Sequence, residues 1–307
     1  MAVQRIIDRA HLIHRYPRGL MEEVRDLAAR YLGVDSSQVL LTSGVDEALD
    51  ITMSLAERGV GVEPGFDFNA RVLVCGKPFL AIPLAADWQP PRCAEKLTKS
   101  DVVFIAQPGN PTGNLIRQEW LDEVREAAGY FFMDETYQEF CAAPSILGKP
   151  FLDERTVVYR SFAKAFGLAG IRVGCLVGHP GLIDRLGARR RFMPIDAVSL
   201  NAAAAVLEEP SFVQNISSHV LTARPELAAT LRQSGLFAEV RDTETNFVIA
   251  RVHSGTADAV ADVFASHGVQ VKACGIFGLD DWIRVGVGSW PELAVLAERL
   301  SAIRGAA

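Results

Sequence analysis

Nowhere in the 307 residues is there an uninterrupted apolar run long enough to cross a bilayer, although 49% of them are hydrophobic and mean hydropathy is +0.16. A transmembrane helix is thereby excluded. The N-terminus, Met-Ala-Val-Gln-Arg-Ile-Ile-Asp-Arg-Ala, interleaves charge with apolar residues and has no hydrophobic signal core. Cysteine is scarce and scattered: Cys75, Cys93, Cys141, Cys175 and Cys274 are odd in number and form no CxxC pair. That argues for free thiols in a reducing cytoplasm. Basic residues are outnumbered, 31 Lys and Arg against 37 Asp and Glu, for a net charge of −6. Nucleic acid and anionic membranes are therefore poor partners. His11 and His14 could share a helix face, but no third ligand lies near and no metal site is expected. Internal repeats and low-complexity linkers are absent as well.

What is present suits a large core divided between two domains. Strands are predicted at Arg71–Gly76, Asp101–Ala106, Tyr130–Met133, Thr156–Arg160 and Arg172–Val177. Helices are predicted at Leu20–Leu32, Val45–Arg58, Gln118–Ala128 and Gly181–Arg191, with a long one within Ser211–Ser234. Apolar strands alternating with amphipathic helices imply an α/β sheet with crossover helices. Beyond that point the pattern reads strand Asn246–Val252, helix Ala257–His267, strand Val269–Ala273, strand Trp282–Val287 and helix Pro291–Ile303, an α+β unit. The basic run Arg185, Arg189, Arg190 and Arg191 reads as the solvated or subunit-facing side of a helix.

The most informative stretch is Ser161-Phe-Ala-Lys164-Ala-Phe-Gly-Leu-Ala-Gly-Ile-Arg172-Val-Gly174. It sets a lysine in a loop directly after the β-branched run Thr156-Val-Val-Tyr159. A hydroxyl precedes that lysine by three residues and an arginine follows it by eight, with glycines between to keep the turn tight. An amine bonded to a carbonyl cofactor, flanked by groups that hold a phosphate, has this form. Taken alone, the segment also fits a surface lysine in a Gly-Ala loop. The helix start after Ser43-Gly44-Val45-Asp46 offers backbone N–H groups and a dipole to an anion. Asp134 ends the apolar strand Tyr130-Phe-Phe-Met, as a cap or as a functional carboxylate. Asn110-Pro-Thr-Gly113 is by itself a common turn. Arg284, flanked by Ile283 and Val285, is costly to bury unless it meets an anion.

Six segments in order resemble one family: Leu41-Thr-Ser-Gly44-Val-Asp46, Gln107-Pro-Gly-Asn110-Pro-Thr-Gly113, Met133-Asp134-Glu-Thr-Tyr137, Arg160 through Gly174, Thr245-Asn246-Phe247, and Ile283-Arg284-Val-Gly286. From about Tyr16 onward the chain resembles the fold-type I pyridoxal-phosphate enzymes of the class I/II aminotransferase group, and within it the histidinol-phosphate aminotransferases. The resemblance implies a PLP-dependent transferase fold: a large mixed-sheet α/β domain over residues 20–210, and a small α+β domain from 1–19 and 211–307. It implies pyridoxal 5′-phosphate as cofactor and transfer of an amino group between an amino acid and a 2-oxo acid, with glutamate as amino donor. Lys164 would bond the cofactor and shuttle a proton. Asp134 would keep the pyridine nitrogen protonated, and Tyr137 and Asn110 would hydrogen-bond the phenolate oxygen. Gly44, Val45, Asp46, Ser161 and Arg172 would cup the phosphate. Phe79 would stack on the ring, and Arg284 would grip the substrate carboxylate. Tyr16 would reach the phosphate of a neighbouring subunit, which implies a homodimer with shared active sites; otherwise it is a packed aromatic ahead of Pro17.

Four departures stand against the resemblance. The family's covering segment before Tyr16 is not found. A helix and strand start read as deleted between Phe79 and Ile82. Ala163 replaces a serine that would give the phosphate a donor. Lys272 stands where an arginine would read a substrate phosphate, and it keeps the charge without the bidentate fork. Decarboxylation or elimination on the same scaffold remains an alternative. A non-catalytic sensor module is a third, weakened by the retention of Lys164 and Arg284.

Overall fold

Mostly buried apolar strands build the larger of two sheets, and Thr42, Glu63, Asp134 and Ser161 each close one of them with a polar residue. The computed structural model describes residues 1–148 and 153–306. In chain order the elements begin with α1 (Ala2–Arg9), α2 (Arg18–Leu32), β1 (Val39–Thr42), α3 (Gly44–Met53), β2 (Arg58–Glu63), α4 (Phe68–Val74) and β3 (Phe79–Pro83). Next come β4 (Asp101–Ala106), α5 (Gln118–Ala127), β5 (Tyr130–Asp134), β6 (Thr156–Ser161), β7 (Gly174–Gly178), α6 (Pro180–Gly187) and α7 (Ala197–Leu207). The rest are α8 (Pro210–Ser234), β8 (Phe237–Arg241), β9 (Phe247–Val252), α9 (Ala257–Ser266), β10 (Lys272–Cys274), β11 (Leu279–Gly286) and α10 (Trp290–Ala306).

The seven-stranded sheet runs β1-β7-β6-β5-β4-β2-β3, and only β7 runs against its neighbours. Helices cover both faces, so the central strands are buried throughout rather than half-wet. Val102, Phe104, Phe132 and Val157 pack against α3, α4 and α6, whereas Val103, Ile105, Phe131 and Met133 face α5. Burying each such phenylalanine contributes about 1.5–3 kcal/mol. On the outer side α1 lies on α7, with Ala2 and Ile6 against that core. A four-stranded antiparallel sheet, β10-β11-β9-β8, forms the smaller unit and packs Val248, Ala250 and Ile283 against Leu231 of α8 and Leu296 and Leu300 of α10. Among the described residues no helix is long and apolar enough to cross a membrane.

Contacts from the strands of the smaller sheet and their loops hold it against the larger unit. Trp88 meets Trp282 edge-on at 5.0 Å. Glu244 N donates to Gly113 O at 2.8 Å, and a Cβ on Gly113 would lie 2.4 Å from Thr243. Only glycine lets the loop after β4 approach so closely.

Three expectations are corrected. Arg71–Gly76 is not a strand: Asp67 caps α4 by accepting from Ala70 N, and Phe68 and Val72 bury one helix face despite the β-branched run. No element is missing after Phe79, because the helix lies before it as α4 and the strand is β3 itself. Helix α3 stops at Met53, since Arg58–Glu63 is the parallel strand β2. Its Gly59 and Gly61 hide the apolar alternation. They are needed for space, as a Cβ there would lie 2.6 Å from Val72 and 2.9 Å from Phe79 respectively.

Candidate active site

The C-terminal ends of parallel strands converge with a helix N-terminus where a sheet of this kind opens a crevice. Here the ends of β4, β5 and β6 and the start of α3 enclose a cavity of about 170 Å3. A larger groove of about 600 Å3, lined by Met21, Leu41, Ile183, Arg190 and Phe192, holds no lysine and no buried carboxylate. The chemistry therefore belongs to the smaller cavity.

Lys164 enters it from the loop after β6. That loop is held by Phe162 and Phe166, both buried, and by the Gly167 N–H donating to the Lys164 carbonyl at 2.9 Å. Burial lowers the affinity of the amine for its proton; Arg284 and Arg172 add to this, while Asp134 opposes it. An amine so placed is readied as a nucleophile. Its Nζ lies 5.6 Å from the Tyr137 ring centre.

Asp134 closes β5 and is buried. Thr136 donates to its Oδ1 twice, from Oγ1 at 2.5 Å and from the backbone N–H at 2.9 Å. Burial nevertheless pushes the carboxyl up to about 6, against those hydrogen bonds and the Lys164 charge. A buried carboxylate held this way suits a cationic partner. Burial also pushes the Tyr137 phenol up to about 12, so it stays a donor. Asn110 follows β4 and accepts from Arg284 Nη1 at 2.5 Å, and the guanidinium sits 4.6 Å over the Phe247 ring. Behind the cavity Arg160 is buried between Glu135, at 3.5 Å, and Glu139, which ties the end of β6 to the segment after β5.

The opposite end is built for an anion. Gly44 begins α3 with φ +72°, and a Cβ there would lie 2.8 Å from Arg172 Nη2. Arg172 itself sits in the left-handed region at φ +57° and donates to Asp46 Oδ2 at 3.2 Å. Val45, Asp46, Ser161 and Arg172 thus face the same space as Lys164 and Asp134.

Three predicted residues lie elsewhere. Phe79 is on β3 and packs over Gly59 and Gly61; the phenylalanine at the cavity is Phe66, which follows Pro64-Gly65. Both segments pair a proline with a nearby phenylalanine, and the resemblance settled on the wrong one. Lys272 is exposed on the edge strand β10, opposite Arg284 in register but one strand farther out. Tyr16 is 80% exposed and does not line the cavity of its own chain. None of Arg185, Arg189, Arg190 and Arg191 lines it either. Sequence reading missed Phe66, Thr136 and Tyr159. Tyr159 was recoverable, because it precedes Ser161 by two on one strand and so shares its face.

This arrangement carries a family signature along the chain. The family model for aminotransferase class I and II matches residues 2–300. The chain belongs to this family. A histidinol-phosphate aminotransferase from Aeromonas hydrophila subsp. hydrophila is 32% identical over 308 residues, spanning 93% of this chain and 84% of the relative. Another, from Granulibacter bethesdensis, is 28% identical and spans 94% and 82%. The crystal structure of histidinol-phosphate aminotransferase from Sinorhizobium meliloti in complex with pyridoxal-5′-phosphate superposes with a TM-score of 0.85 at 24% identity, covering 99% of this chain and 87% of that one. This class I/II aminotransferase is accordingly a pyridoxal-phosphate-dependent enzyme with the fold-type I architecture. The cavity fits that cofactor on its own terms: a deprotonation-prone lysine, a buried carboxylate with no ion-pair partner within 4 Å among the described residues, and a glycine-floored anion cradle beside Arg172.

Proposed function

We propose that this aminotransferase moves an amino group between an amino acid and a 2-oxo acid at the Lys164 cavity, with glutamate as donor. Bound pyridoxal phosphate supplies an electron sink for the pair released when the substrate Cα–H bond breaks. Lys164 would hold the cofactor through its carbonyl carbon, and its amine would carry the proton to and from the substrate Cα. Asp134 holds a proton on the pyridine nitrogen, and Tyr137 and Asn110 donate to the phenolate oxygen. Gly44, Val45, Asp46, Ser161 and Arg172 bind the phosphate, and Phe66 covers the ring. Arg284 takes the substrate α-carboxylate, which would supply the counter-charge that its neighbours Asn110 and Phe247 do not. The observation that carries this reading is the meeting of Lys164 and Asp134, from adjoining strand ends, in one cavity.

The same reading gives a homodimer in a reducing cytoplasm. All five cysteines are free. Tyr16 is exposed, as are the large apolar side chains Val3, Ile7, Ile13 and Phe192. Tyr16 would complete the phosphate site of a second copy. Mixing Tyr16→Ala with Lys164→Ala chains should then restore activity that neither shows alone. For the reaction itself, the holoenzyme is given glutamate, an aromatic amino acid and histidinol phosphate, the last because of the relatives' names. Loss of cofactor absorbance with stoichiometric release of a 2-oxo acid from glutamate supports transamination. Release of carbon dioxide or ammonia without it would contradict the reading.

A further inference from the structure

We propose that the Tyr159 hydroxyl is an additional donor to the cofactor phosphate, standing in for the hydroxyl that Ala163 cannot supply. The inference rests on the Lys164 cavity being the cofactor site.

Tyr159 lies on β6, in register with Asp134 of β5 and two residues before Ser161, so all three share one face of the sheet. Its ring is buried to 2% exposure and stacks at 6.3 Å on Phe132. Ring burial accounts for an apolar residue here, but phenylalanine would serve as well. The hydroxyl is what the surroundings accommodate. Gly174, on β7 opposite Ser161, would place a Cβ 2.4 Å from that oxygen. Gly174 is not in the left-handed region, so the glycine makes room rather than a turn.

The oxygen so admitted sits at the anion end of the cavity. Tyr159 lines it with Val45, Asp46, Ser161 and Arg172, and its hydroxyl lies beside that of Ser161. Ser161 Oγ already accepts from Ala163 N at 3.2 Å, which fixes the turn into Lys164. Burial, aided by the nearby Asp134 charge, keeps the phenol protonated, so it can give a proton to an anion but carries no charge to repel one. Two hydroxyls on one strand face and one guanidinium would thus meet the phosphate from the sheet side, and the α3 backbone would meet it from the other.

The test uses the full-length chain stripped of cofactor, with pyridoxal phosphate affinity read by fluorescence and inorganic phosphate binding read by thermal shift. Tyr159→Phe keeps the ring and its packing. It should weaken pyridoxal phosphate roughly 10-fold, the usual loss for one hydrogen bond to a charged group, and should shrink the stabilisation by phosphate. Adding Ala163→Ser to Tyr159→Phe should recover part of both. Wild-type binding of both ligands by Tyr159→Phe overturns the proposal. So does weakened cofactor binding with unchanged phosphate stabilisation, which would put the hydroxyl on the ring instead. Borohydride labelling of a lysine other than Lys164 in the wild-type holoenzyme would overturn the cavity assignment, and this inference with it.

Discussion

Arg284 and Asn110, 174 residues apart in sequence, are joined by a hydrogen bond from Nη1 to Oδ1 across the two units of the chain. The small-unit strand β11 thereby delivers its cation to the loop that follows β4. Arg284 in turn bears on Lys164 and Tyr137, lowering the proton affinity of each. Anything that loosens this contact should reach both substrate binding and the lysine.

Asn110→Ala removes the acceptor and leaves Arg284 unguided. We expect kcat/KM to fall for every amino-acid substrate by a similar factor, since all share the α-carboxylate. A hydrogen bond to a charged group contributes ~1.5–3 kcal/mol, or roughly 10- to 150-fold. Steady-state kinetics with glutamate and an aromatic amino acid checks this; losses confined to one substrate would show that Arg284 reads something other than the carboxylate.

Phe66 and Phe79 should separate cleanly. Phe66→Ala uncovers the cofactor ring and should raise the dissociation constant of pyridoxal phosphate roughly 10-fold with little change in unfolding of the cofactor-free chain. Phe79→Ala removes packing over Gly59 and Gly61 and should cost about 2–3 kcal/mol in denaturant unfolding, below the range for fully buried phenylalanine. Cofactor affinity should then be near wild type. The reverse pattern would restore Phe79 to the site.

The resemblance to aminotransferases was legible where the chemistry is local. Lys164 follows a β-branched strand and precedes tight glycines, and Asp134 ends an apolar strand, so residue type and position along the element agreed. Phe66 was not legible, because its side chain matters only through the placement of α4, and α4 contains the strand-like run Arg71-Val-Leu-Val. Strand β2 escaped notice since its glycines, required by Val72 and Phe79, erase the apolar alternation. Lys272 was read as the residue that meets a substrate phosphate, but the sequence does not reveal that β10 is an edge strand, which leaves Lys272 exposed and away from the cavity. Tyr159 looked like core, and it is core everywhere except its oxygen.

Asp134 sets a pH dependence in the cofactor-free protein. Its carboxyl holds a proton more tightly when folded, at about 6, than its ordinary 3.8. This group therefore favours folding at low pH, and its contribution fades as pH rises from about 4 to about 6. The fading amounts to on the order of 3 kcal/mol. Cofactor-free Asp134→Asn lacks that titration, so it should exceed wild type in thermal stability at pH 7 and lose the advantage below pH 4. Activity should nonetheless collapse. An Asn variant less stable than wild type at pH 7 would mean that the carboxylate has a partner the cavity does not display.

Gly44→Ala should strike the phosphate end alone. A methyl group at φ +72° is strained, and it would meet the Arg172 guanidinium at 2.8 Å. We expect pyridoxal phosphate affinity to fall roughly 10- to 150-fold as Arg172 is displaced. Pyridoxal without its phosphate should bind the variant and the wild type alike, as equilibrium titration would show; equal losses for both would place the damage in the fold.

The central claim is that Lys164 is the residue bonded to the cofactor. Borohydride reduction of the holoenzyme, followed by proteolysis and mass spectrometry of the peptides, reads this directly. The account predicts one phosphopyridoxyl adduct, on the peptide bearing Lys164, and none in Lys164→Ala. An adduct on any other lysine, with Lys164 unmodified, would contradict it.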